Sequence, residues 1–166
     1  MDTQKLIMDK IASVLASTDK GQIAELKNHI DSAGRIFVAG AGRSKLVSSF
    51  LAMRLVHCGY QVNMVGEIVT PALQEGDLYI VISGSGGTKT LLPTLETAKS
   101  KGAKIAIVSM KSSSAMSDLA DLTVTMGNDE VFAKTKGFSD KKLAKIKKIN
   151  ENQIAKLRTD NNIHPV

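Results

Sequence analysis

At 166 residues, 43% apolar and 23% charged, the chain has the makeup of one soluble globular domain with room for a real core. A single cysteine, Cys58, excludes an intramolecular disulfide framework, and aromatics at 4% without tryptophan argue against ring stacking as the main means of recognition. The net charge of +6 is an end effect: residues 1–133 hold 13 basic and 13 acidic side chains, whereas residues 134–166 hold nine basic against three acidic.

The basic tail reads as a solvated helix face, and nucleic-acid binding is not expected from it. No apolar run approaches the ~18 residues of a membrane helix, so no membrane partner is expected. Met1-Asp2-Thr3-Gln4-Lys5 lacks the basic stretch and apolar run of a signal peptide. Together with the lone cysteine this fits a reducing, cytoplasmic setting.

In chain order, Leu6, Ile7, Ile11, Val14 and Leu15 recur at helical spacing over 2–17. Thr18-Asp19-Lys20-Gly21 breaks the pattern. Ile23, Leu26 and Ile30 form a second amphipathic helix, closed by Ser32-Ala33-Gly34. A first strand, 35–39, empties into Gly40-Ala41-Gly42-Arg43-Ser44, and a helix is predicted over 45–58 with Gly59 as its stop. The second strand is 61–65, followed by a loop or short helix over 66–71. The third, 78–82, runs into Ser83-Gly84-Ser85-Gly86-Gly87-Thr88-Lys89-Thr90. A helix over 91–101 takes Pro93 in its first turn and ends at Gly102. Strand 104–108 comes next, then a short helix over 115–120 capped from Ser112-Ser113-Ser114, and a last strand over 122–126. Leu143, Ile146, Ile149, Ile154 and Leu157 outline a final helix over 139–158.

Apolar strands alternating with helices predict an α/β fold, a three-layer αβα sandwich on a five-stranded parallel sheet of flavodoxin-like type, with N-terminal helices added. The expected division is 1–133 as the folded domain, with 1–33 its N-terminal helices, and 134–166 as a basic helical segment. In such folds ligands sit at the carboxyl ends of the strands, where the strand order reverses. Two loops rich in glycine and hydroxyls, 40–44 and 83–88, emerge there. Their amides, their hydroxyls and the helix N-termini behind them suit a phosphate. The competing reading is that both are merely tight connections. Lys45 stands where a dinucleotide fingerprint needs its third glycine, and the second loop lacks the Gly-Lys-[Ser/Thr] of a Walker motif, so neither a nicotinamide cofactor nor triphosphate hydrolysis is expected.

The runs Ala39-Gly40-Ala41-Gly42-Arg43-Ser44, Ala52-Met53-Arg54-Leu55-Val56-His57-Cys58-Gly59, Val65-Gly66-Glu67, Thr70-Pro71, Gly76-Asp77 and Ser83-Gly84-Ser85-Gly86-Gly87-Thr88-Lys89 resemble the sugar isomerase (SIS) domain. Within that family they resemble the 6-phospho-3-hexuloisomerase branch, of the ribulose monophosphate pathway and formaldehyde assimilation. The match covers about residues 1–128. The resemblance implies a homo-oligomer, a tetramer or dimer, whose sites are lined by neighbouring subunits. It implies a phosphorylated sugar as substrate, held through Ser44, Ser83, Gly84, Ser85 and Thr88, with Gly42 and Arg43 as further contacts. It implies no metal and no cofactor.

The implied activity interconverts D-arabino-3-hexulose 6-phosphate and fructose 6-phosphate through a cis-enediol, which calls for a base and a proton carrier. His57 and Glu67 are the candidates, against structural readings as a helix-end histidine and a loop carboxylate. His29 and His164 lie in no such context and are expected at the surface. Two positions depart from the family: Gly87 stands where many SIS proteins carry glutamate, and the stretch from Gly127 to Lys134, with Glu130 before an apolar pair, lacks the Gly-Ser/Thr-x-Phe-Glu segment usual in hexuloisomerases. Two other readings are therefore kept: a non-catalytic, regulatory sugar-phosphate-binding SIS domain, and an isomerase for another ketose or aldose phosphate.

Overall fold

The structure, a computed structural model, describes residues 3–127. The basic segment 134–166, with the helix expected over 139–158, and Glu130 lie outside the described residues.

Two helices open the chain, α1 (Thr3–Ala16) and α2 (Lys20–Ser32). The predicted break at 18–21 is in fact the start of α2. The Asp19 carboxylate accepts the Gly21 and Gln22 amides, which lets Lys20 and Gly21 enter the first turn. Then follow β1 (Ile36–Gly40), α3 (Arg43–His57), β2 (Val62–Met64), β3 (Leu78–Ile82), α4 (Leu92–Ser100), β4 (Lys104–Ser109), a 3-10 turn over Ser117–Leu119, and β5 (Leu122–Thr125). Pro93 sits at the start of α4, where its missing amide costs nothing.

All five strands are parallel, in the order β2-β1-β3-β4-β5. Alternation sorts their side chains into two cores. Phe37, Ala39, Tyr79, Val81, Ile105 and Ile107 meet Leu91, just before α4, and Leu95 and Ala98 of α4 on one face. On the other, Ile36, Val38, Leu78, Ile80 and Ala106 meet Ala52 and Leu55 of α3, with Leu26 and Ile30 of α2 packed alongside. This is the expected three-layer sandwich. Strands covered on both faces explain why β1, β3 and β4 read as unbroken apolar runs.

Two polar ties brace the sheet. Gln22 of α2 accepts the Thr125 amide on edge strand β5 at 2.9 Å. At the amino edge, the buried Asp77 carboxylate accepts Arg35 Nε at 3.0 Å, Arg35 Nη2 at 2.6 Å and the Gln74 amide at 2.7 Å. The hydrogen bond to Asp77 raises the Arg35 pKa above the ordinary guanidinium value. Among the described residues no helix is long and apolar enough to cross a membrane.

Candidate active site at the strand-order switch

The strand order reverses between β1 and β3, and Gly40 lies in register with Ile82, so the two strands end together. Their following loops flank one crevice, the place where open parallel sheets bind ligands.

The first loop is built around a close approach. A Cβ on Gly40 would lie 2.6 Å from Ser48 Oγ and 2.7 Å from both the carbonyl carbon and oxygen of Ser44. Only hydrogen fits there, so β1 runs directly under the first turn of α3. Ser48, fully buried, fastens this junction: its hydroxyl lies 2.9 Å from the Ala39 carbonyl and 2.8 Å from that of Ser44. Gly42 precedes α3 with φ 56°, and no side chain caps the helix. Ser44 is half-buried, and Arg43 is exposed beside it. The first turn holds no acid. Instead Arg43 and Lys45 stand where the helix dipole favours an anion.

In the second loop Ser83 is buried and its amide donates to the Val108 carbonyl at 3.0 Å. Its hydroxyl pairs with Thr88 Oγ1 at 3.1 Å, closing the loop on itself. Gly84 accepts the Met110 amide, and exposed Ser85 accepts the Gly87 amide at 3.4 Å. Gly86, at φ 60°, leaves no room for a side chain: a Cβ would lie 2.3 Å from Ser114 Oγ. The segment after β4 therefore buttresses this loop. Ser114 is itself held by Ser117, whose amide donates to Ser114 Oγ at 3.1 Å, and buried Ser109 accepts the Lys111 amide.

Glu67 is delivered to the same edge by the turn that follows β2. The Val65 amide donates to the Val38 carbonyl, and Thr70 pins the turn through its hydroxyl, 2.6 Å from the Met64 carbonyl and 2.8 Å from that of Glu67. Glu67 Oε1 lies 3.6 Å from Lys45 Nζ, which links the carboxylate to the first loop.

His57 is not brought to this place. It is the last residue of α3, and the chain returns at once to the amino edge, where the Ile36 amide donates to the Gln61 carbonyl. A 15-residue helix puts it about 20 Å along α3 from Arg43. The imidazole is exposed there. The outward face of the same helix carries Leu46, Val47, Phe50, Met53 and Val56, all exposed. Among the described residues no group of three or more His, Cys, Asp or Glu side chains is arranged to hold a metal ion.

Sequence reasoning picked out both loops and Glu67 but not Lys45, Ser48, Ser109 or Ser114. Ser48 carried one usable signal, a small hydroxyl residue one turn after Ser44 on the helix face that meets the strand. The others depend on which loops the sheet brings side by side.

Comparison with known proteins gives this arrangement a context. The SIS domain model matches residues 29–141. A 3-hexulose-6-phosphate isomerase of Methylomonas aminofaciens is 54% identical over 136 residues, covering 81% of this chain and 75% of that protein. A protein of the same name from Mycobacterium gastri is 45% identical over 119 residues, covering 72% of this chain and 60% of its own length. Among solved structures, a hypothetical Methanococcus jannaschii protein whose structure infers a 3-hexulose-6-phosphate isomerase function aligns at TM-score 0.69. It is 26% identical, with 94% of this chain and 97% of that one covered.

Proposed function

The chain belongs to the SIS domain family, and from that premise we propose that it is a sugar-phosphate isomerase interconverting D-arabino-3-hexulose 6-phosphate and fructose 6-phosphate. One observation carries this reading: two small-residue loops leave the adjoining carboxyl ends of β1 and β3 at the strand-order switch, beside an acid-free helix start and a carboxylate.

Ser44, Ser83, Gly84, Ser85 and Thr88 hold the phosphate, with hydroxyls and amides as donors. Gly42 lets the backbone approach, and Arg43 offsets the dianion's charge. Glu67 takes the proton from C2 of the 3-ketose, and the electron pair forms the C2–C3 double bond of a cis-enediolate. That proton returns to C3, while the hydroxyl proton on O2 passes to O3, leaving the carbonyl at C2. The reaction is internally balanced and needs no outside oxidant or reductant.

His57 is the carrier of the hydroxyl proton, and it acts on the site of a neighbouring subunit, because some 20 Å of α3 separates it from its own loops. The exposed apolar face of α3 supports a second copy as that neighbour, within a homotetramer. A phosphorylated substrate and a lone cysteine suit an enzyme of the cytoplasm.

The deciding assay supplies 3-hexulose 6-phosphate to the purified protein and follows fructose 6-phosphate. Binding without turnover would mean a regulatory sugar-phosphate-binding domain instead, and turnover of a different ketose–aldose pair would redirect the substrate. Ser85→Ala combined with Thr88→Ala should raise KM at least about tenfold, since each lost charge-assisted bond is worth about 1.5–3 kcal/mol. Mixing His57→Ala protein with the Ser85→Ala/Thr88→Ala protein tests the shared site. Activity above that of either variant alone is expected, and none would refute the action of His57 on a neighbouring subunit's site.

A further inference from the structure

We propose that Lys45 is a positioning residue that holds the Glu67 carboxylate at the mouth of the crevice, a role that presupposes the isomerase reading of the site. Lys45 Nζ lies 3.6 Å from Glu67 Oε1, and both side chains are about half exposed, at 47% and 58%.

The two backbones that carry this pair are stiff. On the lysine side, Gly40 abuts Ser44, Ser48 fastens the turn, and the Lys45 amide donates to the Gly42 carbonyl at 3.0 Å. On the glutamate side, the Glu67 amide donates to the Met64 carbonyl at 3.3 Å, and Thr70 bonds to both Met64 and Glu67. Only the two side chains remain free to move, and each restrains the other.

Local helix energetics do not explain the lysine. A cation in the first turn opposes the helix dipole, and Arg43 already stands two residues before it. What offsets Lys45 is Glu67, on a different element. The glutamate needs a partner of its own, since a bound phosphate dianion would repel its carboxylate. Lys45 anchors it from the first turn of α3.

In open water such a pair contributes little. Once substrate displaces water the same pair strengthens, so its effect falls on the reaction and not on folding.

Steady-state kinetics on wild type, Lys45→Met, Glu67→Gln, the double variant and Lys45→Arg test this assignment. Lys45→Met should lower kcat about tenfold with KM within about twofold, the scale of a modest misplacement of a reacting group. Lys45→Arg should recover most of the rate. In the Glu67→Gln background Lys45→Met should cost less than about twofold more. An unchanged kcat in Lys45→Met overturns the assignment, as does a failure of Lys45→Arg to recover rate. A raised KM that persists with Glu67→Gln also overturns it and makes Lys45 a direct phosphate contact. Turnover by wild type with any of those results refutes the role of Lys45 alone; no turnover by wild type refutes the isomerase reading and Lys45 with it.

Discussion

Gly40→Ala is the sharpest test of how the fold builds the first loop and of the role proposed for it. The new methyl would lie 2.7 Å from the Ser44 carbonyl carbon and oxygen and 2.6 Å from Ser48 Oγ. Ser48 can change rotamer, giving up its bonds to the Ala39 and Ser44 carbonyls. The Ser44 backbone has no such escape. Restoring an ordinary contact of about 3.5 Å means withdrawing the first turn of α3 from β1 by roughly 0.8 Å. Overpacking of this kind costs about 1–3 kcal/mol, or about 2–12 °C in Tm at the roughly 2–4 °C per kcal/mol usual for this size. If Arg43 and Ser44 hold the substrate as proposed, the same shift draws them away from it, so kcat/KM should fall about 10- to 100-fold. Denaturant unfolding and steady-state kinetics on the one variant read both numbers. A variant within about 0.5 kcal/mol of wild type, with unchanged kcat/KM, would show that the strand and helix are not in contact as described. Lost stability with unchanged kinetics would show that the first loop does not hold the substrate.

Three further outcomes are expected. Gly86→Ala should destabilise the protein by about 2–3 kcal/mol, because φ 60° disfavours a side chain and Ser114 Oγ blocks it at 2.3 Å, whereas Gly87→Ala, whose Cβ would meet nothing nearer than 3.9 Å, should be close to neutral in unfolding experiments. Burial raises the Tyr79 phenol above its ordinary value, only partly opposed by its hydrogen bond to Thr94. The folded state thus keeps this proton longer, so stability should hold below about pH 10 and fall as pH rises through the folded value. Tyr79→Phe should flatten that fall in pH-dependent melting, and an unaltered slope would exclude Tyr79 as its source. Asp77→Ala strands Arg35 and the Gln74 amide at the amino edge and should cost about 2–3 kcal/mol without changing KM; a changed KM would mean that the brace reaches the site.

Much of the architecture was legible in the chain. The apolar runs at 36–39, 78–81 and 105–108 read as doubly covered strands because each residue, on whichever face, meets a helix. Both loops were legible for a similar reason: a close backbone approach admits only glycine, and glycine is visible in sequence. Gly40 and Gly86 are such positions, each facing a specific serine. Asp19 was read as part of a break when it is a cap, since a capping residue and a linker residue look alike until the amides it receives are known. Glu67 was found through its run Val65-Gly66-Glu67 and its place just past a strand. Its ion pair with Lys45 was not, because 22 residues separate the two and only the adjacency of β1 and β2 brings them together.

His57 makes the division plainest. Sequence by itself determined that a histidine follows Met-Arg-Leu-Val at the end of the helix behind the first loop. It also determined the strand count, the two loops and the family. Only the tertiary structure decided that this helix runs back across the sheet, so its two ends stand at opposite edges. Helical rise converts 15 residues into about 20 Å, and parallel strands force each connecting helix to return the way it came. Proximity in sequence to Ser44 therefore becomes separation in space, while Glu67, farther along the chain, arrives beside Lys45.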